Sequence, residues 1–378
     1  MNFDFSEEQV MLRDSVARFV QDDYDFDTRQ QIAGSEEGMS RENWQTFAEL
    51  GWLSIPFAEE HGGFGGGALD IMVVMEQMGR GLVLEPYLAT VLLYGGLLQS
   101  GGTAAQQEAH IPAIIEGSRQ GAFAYLERQS RYELADVKTT ATSDADGYRL
   151  NGEKVVVFNG ANADYFVVSA RTSGGQSDPQ GVSLFLVAAD APGVERVSYR
   201  MMDGQVVANV VLKDVSVGAA DLVGELDAGH ALIEDVVLQA TLALGAEAVG
   251  IMGELNAKTL EYTKTREQFG VAIGSFQALQ HRMVETFMAY EQTRSLLYRA
   301  VCALGDERED AATAAHALKV MMDKAGKLVF GEAIQIHGGM GITDELDIGH
   351  YAKRLMMINT TFGNADYHQA QFNARRYN

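Results

Sequence analysis

Apolar and polar positions follow one another along this chain in three different rhythms. In the first, Ser6 precedes Glu7 and Glu8, the pattern of a helix N-cap with acidic residues in the first turn, where they complement the helix dipole. Val10, Leu12, Val16, Phe19 and Val20 then recur at helical spacing. A second helix is predicted near Arg41–Leu50, with Trp44, Phe47 and Leu50 on one side. The glycine-dense stretch Glu59–Gly66 predicts a loop. Helical patterns resume through Leu69–Arg80 and Pro86–Gln99, where Pro86 suits a first helical position.

The second rhythm starts near Gly121. Segments become short, β-branched and punctuated by turns. Asp144-Ala145-Asp146-Gly147 between Val137–Thr142 and Tyr148–Val157 reads as a hairpin, and Tyr165–Ala170, Val182–Ala188 and Val206–Leu212 read as further strands. From about Leu232 the helical period returns and holds to the end. Met283, Val284, Phe287 and Met288 continue into Ala300, Val301 and Leu304, and Ala317, Leu318, Met321, Ala325, Leu328 and Val329 form another stripe, both read as core. The pattern predicts an α+β chain: an N-terminal helical domain over 1–120, a middle antiparallel β domain over 121–225 and a C-terminal four-helix bundle over 226–378.

Composition narrows the chemistry. The 378 residues are 47% hydrophobic and 21% charged, as expected of a globular protein of more than one domain. A net charge of −23 argues against nonspecific binding to nucleic acid or to an anionic membrane, both of which need a basic face. It leaves room for an anionic ligand held by a few local cations. The one cysteine, Cys302, excludes an intrachain disulfide and a thiolate metal cluster, and its bland reading is a small apolar residue within a helix. The eight histidines show no metal-ligand spacing, so no metal is expected. No apolar run reads as membrane-spanning, and a reducing cytoplasm is the expected compartment.

Motif scanning finds no P-loop, no HExxH and no GxSxG. Two places stand out. Gln335-Ile336-His337-Gly338-Gly339-Met340-Gly341 interrupts a helical region with three glycines, which either stop a helix or let a ligand or another chain approach the backbone. Arg266, in Lys264-Thr265-Arg266-Glu267-Gln268-Phe269-Gly270, lies between two helices and is either a C-terminal dipole partner or a bidentate phosphate ligand.

These residues carry a resemblance. FSEEQ at 5–9, PFAEEHGG at 56–63, TREQFGVAIGSFQ at 265–277 and QIHGGMG at 335–341 match motifs of the acyl-CoA dehydrogenase family in the family's order, over nearly the whole chain. The chain looks most like the small subunit of bacterial two-component members of the pimeloyl-CoA or steroid side-chain type. The resemblance implies FAD as cofactor, lying between the β domain of one subunit and the helical bundle of its mate. It assigns Arg266 to the pyrophosphate, Phe269 to the adenine side, and Gln277, Gln335, Gly338 and Gly339 to the same clasp. A fixed cation and closely approaching backbone suit a diphosphate.

The departures from the family are specific. The segment usually like TEPxAGSD, which lines flavin and thioester, is here Leu126-Glu127-Arg128-Gln129-Ser130-Arg131-Tyr132-Glu133, in which Glu127 survives. The tryptophan-x-threonine pair that packs on the flavin ring is replaced by Val156 and Phe158. Phe362 and Ala240 occupy the two expected positions of the catalytic carboxylate, and neither can take a proton. Asp235, Glu247 and Asp366 remain as nearby carboxylates of more structural character. The resemblance therefore implies the non-catalytic subunit of an FAD-dependent acyl-CoA dehydrogenase, in an α2β2 tetramer with a homologous catalytic subunit. An acyl-CoA would be the substrate and electron-transfer flavoprotein the acceptor. Two alternatives stay open: a complete homo-oligomeric enzyme with an unusual base, and a non-enzymatic acyl-CoA-binding or assembly protein.

Overall fold

A computed structural model describes residues 5–144 and 147–377. The turn residues Ala145 and Asp146 of the expected hairpin lie outside the described residues. In chain order the helices are α1 (Glu7–Asp22), α2 (Phe26–Gly34), α3 (Arg41–Glu49), α4 (Ala68–Gly81), α5 (Gly96–Gly101), α6 (Ala104–Ile115), α7 (Gly229–Thr265), α8 (Gln277–Gly305), α9 (Ala311–His337), α10 (Ile348–Thr360) and α11 (Ala365–Tyr377). The strands are β1 (Gly121–Ala124), β2 (Thr140–Asp144), β3 (Gly147–Phe158), β4 (Tyr165–Arg171), β5 (Val182–Ala188), β6 (Val194–Arg200), β7 (Val206–Gly218), β8 (Leu222–Val223), β9 (Glu267–Gln268) and β10 (Val271–Ala272). The α+β class and the helix–sheet–helix order follow the sequence reading.

Local chemistry explains several boundaries. Ser6 caps α1 through a full capping box, its side chain accepting from Gln9 N while Gln9 reaches back to Ser6 N. Thr103 and Gln106 do the same for α6. Where one helix was expected over Pro86–Gln99, the structure has a π-helical stretch, Tyr87–Gly95, followed by α5. Pro86 is its cap rather than its first turn. Strand β2 begins at Thr140 instead of Val137 because the backbone N–H groups of Lys138 and Thr139 donate to the Glu127 carboxylate, at 2.8 and 3.0 Å, and leave the ladder.

The chain forms two compact units, residues 1–31, 68–83 and 241–378 in one and 32–67 and 84–240 in the other. Each draws on more than one of the three sequence segments. The second unit holds a sheet in the order β6-β7-β3-β2-β4-β5-β8, with β1 beside β4. It is mostly antiparallel, as expected, but β1 runs parallel to β4 in register Gly121↔Tyr165. Its core is Ala122, Leu150, Phe166, Val168, Phe185 and Val210 with their neighbours. The first unit holds most of α7 with α8, α9, α10 and α11, together with α1, α4 and most of α2; five helices follow the sheet in the chain where the pattern suggested four. α7 is long and apolar enough to cross a membrane by length and composition, contrary to the sequence reading. Yet 83% of its apolar window is buried within the protein, which makes it a core helix.

Candidate functional site

The end of α7 runs into a two-strand arm. β9 and β10 pair antiparallel, joined by Phe269 at φ 55° and Gly270 at φ 80°. A two-residue hairpin of this kind needs positive φ at both central positions, which Gly270 adopts freely and Phe269 only at a cost. Ile273 N donates to Arg266 O at 2.8 Å and closes the base of the arm. The arm points its chemistry outward. Phe269 is 94% exposed, and the Arg266 guanidinium makes no hydrogen bond or ion pair among the described residues.

The tip of α9 carries the other half of this surface. Tyr262, one turn before Arg266, stacks on His337 with ring centroids 4.3 Å apart and so pins the last turn of α7 to the last turn of α9. His337 Nδ1 in turn lies 2.8 Å from Ala333 O. Gly338 follows at φ 63°, ψ −140°, a conformation open essentially to glycine alone. A Cβ placed on Gly338 or Gly339 would meet nothing within 4 Å. Gln335 is exposed beside them, and Gln277 is exposed at the start of α8; neither side chain is hydrogen-bonded among the described residues. Sequence reading missed Tyr262 and His337. Their only signal was an aromatic four residues before Arg266 and a histidine before the glycine pair.

The sheet unit presents the opposite character. Glu127 does not face outward. Its Oε1 accepts from Lys154 Nζ at 2.7 Å and its Oε2 from Gln129 Nε2 at 2.9 Å, in addition to the two backbone amides. Lys154 is fully buried and also donates to Ser169 Oγ at 3.0 Å. Burial pushes the Glu127 carboxyl up, but Lys154 and the converging donors hold it down at about 2. Burial lowers Lys154 to about 8 against the pull of Glu127. The pair is an internal brace, and the surviving Glu127 is used up by it.

Further along β3, the pairing with β7 slips between Lys154 and Val157, and Val156 takes φ 51°. A β-branched residue there is a true outlier, and it marks a bulge that re-aims the strand. Asn209 Oδ1 holds the bulge by accepting from Val156 N at 3.2 Å. Phe158 then lines a cavity of about 40 Å³, with Leu88, Ala89 and Val206. Small-molecule pockets usually enclose about 300–1,000 Å³. The cavity beside Phe158 is smaller than that range, whereas the arm and the α9 tip are open to solvent.

No carboxylate stands at either expected base position. Ala240 is fully buried in α7. Phe362, at φ 58°, sits in a turn gripped from beneath. Lys319 Nζ donates to Ile358 O and Thr361 O, each at 2.8 Å, and His368 Nε2 lies 3.1 Å from Phe362 O. Burial lowers Lys319 to about 7, and burial, Lys319 and His316 lower His368 to about 3. Of the remaining carboxylates, Glu247 is buried against Arg354, with Nη2 2.8 Å from Oε2. Asp235 and Asp366 are exposed.

The helical stripes divide in a way the sequence did not announce. Ala300, Val301, Leu318, Ala325 and Val329 are core, as expected, but Val284, Phe287 and Met288 on α8 are each more than half exposed. Periodicity marks a face that avoids water; it does not tell a core from a contact surface.

Comparison with known proteins agrees with this architecture. The chain matches the acyl-CoA dehydrogenase N-terminal domain over residues 6–118, the middle domain over 122–215 and the C-terminal domain over 227–377. A probable acyl-CoA dehydrogenase of Bacillus subtilis, YngJ, is 31% identical to it over 92% of both chains. Among solved structures, a chain of the Tcur3481-Tcur3483 steroid ACAD variant is 29% identical over 97% of both chains, with a TM-score of 0.87. A chain of the ChsE4-ChsE5 complex from Mycobacterium tuberculosis is 26% identical over the full length of both, with a TM-score of 0.90. The chain belongs to the acyl-CoA dehydrogenase family, FAD-dependent oxidoreductases that act on the CH–CH bond of acyl-CoA thioesters.

Proposed function

We propose that this chain is the non-catalytic subunit of a hetero-oligomeric acyl-CoA dehydrogenase, completing the FAD site of a homologous catalytic subunit. In this reading Arg266 pairs with the FAD diphosphate, Phe269 covers the adenine side, and Gln277, Gln335, Gly338 and Gly339 receive the adenosine end. FAD, when bound, supplies the hydride acceptor; this chain's own residues bind and orient it. The observation that carries the proposal is the exposed guanidinium of Arg266, without a hydrogen-bond or ion-pair partner among the described residues, on a helix end that the Tyr262–His337 stack ties to the open backbone of Gly338 and Gly339. A guanidinium left without an acceptor next to a surface with room for one is matched to an anion brought by another molecule.

Three further observations favour it. The bulge at Val156 and the packing of Phe158 leave little room for a flavin ring in this chain's own sheet unit. Phe362 and Ala240 offer no base for the α-proton. Two similar structures, Tcur3481-Tcur3483 and ChsE4-ChsE5, are of proteins named for two components. An α2β2 assembly, an acyl-CoA substrate of bulky or unusual type, and electron-transfer flavoprotein as acceptor complete the reading. A structure concerned with an electron transferring flavoprotein of Acidaminococcus fermentans is among the similar folds. The lone cysteine suits a reducing compartment such as the cytoplasm.

The test is expression of the chain alone and together with a homologous catalytic subunit. Flavin absorbance and its bleaching by an acyl-CoA are then recorded. The chain alone should be nearly colourless and the mixture should hold one flavin per pair of chains. A yellow homo-oligomer that an acyl-CoA bleaches would return the reading to a complete enzyme with an unusual base.

A further inference from the structure

Arg266 and the glycine pair stand at the ends of two different helices, and one molecule can touch both only if their spacing is fixed. Arg266 follows α7 directly, and its backbone N donates to Tyr262 O at 2.9 Å. His337 is the last residue of α9, and Gly338 follows it. The rings of Tyr262 and His337 are stacked, with centroids 4.3 Å apart and planes 28° from parallel. One hydrogen bond, one ring stack and one peptide bond therefore join the segment that carries the cation to the first glycine.

The stack is itself anchored. His337 is 5% exposed, and its Nδ1 lies 2.8 Å from Ala333 O, one turn back along its own helix. A carbonyl oxygen can only accept, so Nδ1 carries the proton and donates it, which fixes the rotation of the ring and leaves Nε2 bare. Burial lowers the histidine's pKa against the pull of Ala333 O and Asp347, and the ring is uncharged near neutral pH. Tyr262 is half-buried and lays its own ring on this held surface. Stacked rings attract beyond the area they bury. The tyrosine hydroxyl lies 3.5 Å from His337 O, too long to add much, so the ring and not the hydroxyl makes the joint.

We propose that Tyr262 and His337 are positioning residues, whose stack sets the spacing between the Arg266 cation and the Gly338 backbone so that one nucleotide can engage both. The inference rests on the reading of this surface as an FAD clasp, and it concerns two residues that the clasp itself does not use.

Two measurements test it, and the first needs no flavin. Amide hydrogen exchange is followed in the free full chain, with α1 as the internal reference. Tyr262→Leu should speed exchange at Arg266 and Ile273 about threefold to tenfold, the range that a lost aromatic pair supplies, and leave α1 unchanged. Tyr262→Phe keeps the ring and should behave as the unaltered chain. His337→Leu should match Tyr262→Leu. His337→Phe, which keeps a ring but loses the bond to Ala333, should fall between and stays informative if a leucine variant disturbs folding. The second measurement is FAD retention in the assembled enzyme. Tyr262→Leu should weaken it about threefold to tenfold, and Tyr262→Phe should not. The double variant with Arg266→Ala should lose no more than Arg266→Ala alone, because a misplaced cation and a missing one are the same loss. Unchanged exchange at Arg266 and Ile273 in Tyr262→Leu, or a loss of FAD that adds in full to that of Arg266→Ala, overturns the proposal. If Arg266→Ala leaves FAD retention intact, it is the clasp reading that fails, and the exchange result still decides whether the stack holds the arm.

Discussion

The arm at Phe269 and the bulge at Val156 are both built on a non-glycine residue held at positive φ, and they use that strain in opposite directions. At the arm it leaves an aromatic ring exposed near a guanidinium that has no partner among the described residues. At the bulge it turns a strand inward, where Asn209 secures the backbone, while the neighbouring Lys154 is locked to Glu127. One region leaves its ring and its cation to solvent; the other satisfies its own groups. Exposure of costly groups is the better sign of a partner, and internal satisfaction the better sign of a structural role.

That contrast can be broken by substitution. The largest effect belongs to the closed region. Glu127→Ala strands Lys154 as a buried, unpaired charge, and chemical denaturation should register a loss of about 3–5 kcal/mol. The contribution has a pH signature. The folded carboxyl titrates at about 2 against its ordinary 4.5, so the stabilisation is complete above about pH 4.5 and is lost as pH falls toward 2. Denaturation curves of the unaltered chain and of Glu127→Gln should converge over that window. A gap that persists at pH 2 would mean the ion pair is not its source.

The open region should answer in the reverse sense. Arg266→Ala should leave the stability of the free chain within about 0.5 kcal/mol. In the assembled enzyme it should weaken FAD retention by about 1.5–3 kcal/mol, and Arg266→Lys should restore only part of this because the bidentate fork is lost. Loss of stability in the free chain would show the guanidinium to have an internal partner. Gly338→Ala imposes a side chain on backbone at φ 63°, ψ −140° and should cost about 1–3 kcal/mol of stability by thermal denaturation. Smallest is Phe269→Ala: no change beyond about 0.5 kcal/mol in the free chain, and an assembly weakened by about 1–2 kcal/mol in sedimentation experiments.

Much of this was legible from the residues. Ser6 before two glutamates gave the start of the first helix, and the β-branched runs gave β3, β4 and β5 within a residue or so. Other features were not, for physical reasons. Glu127 reads as the survivor of a flavin-lining segment, because nothing local announces a lysine 27 positions away that swallows it. The π-helical stretch at Tyr87–Gly95 has the same apolar content as an α-helix, and only packing distinguishes the two. Strand β1 is a run of four buried residues, and its parallel pairing is set by a connection through β2 and β3 that no period encodes. Arg266 and the glycine pair stand out in the sequence because their oddity is local, a cation and flexible backbone where a helix ends, whereas Phe269 enters only through the resemblance.

The bare flank of α8 has a cost for any cell that makes this protein. With Phe287 and its two companions wetted, an unmated copy is a sticky one, prone to self-association at concentrations its completed assembly would tolerate. Any molecule that covers that flank would add its binding free energy to the chain's own folding free energy.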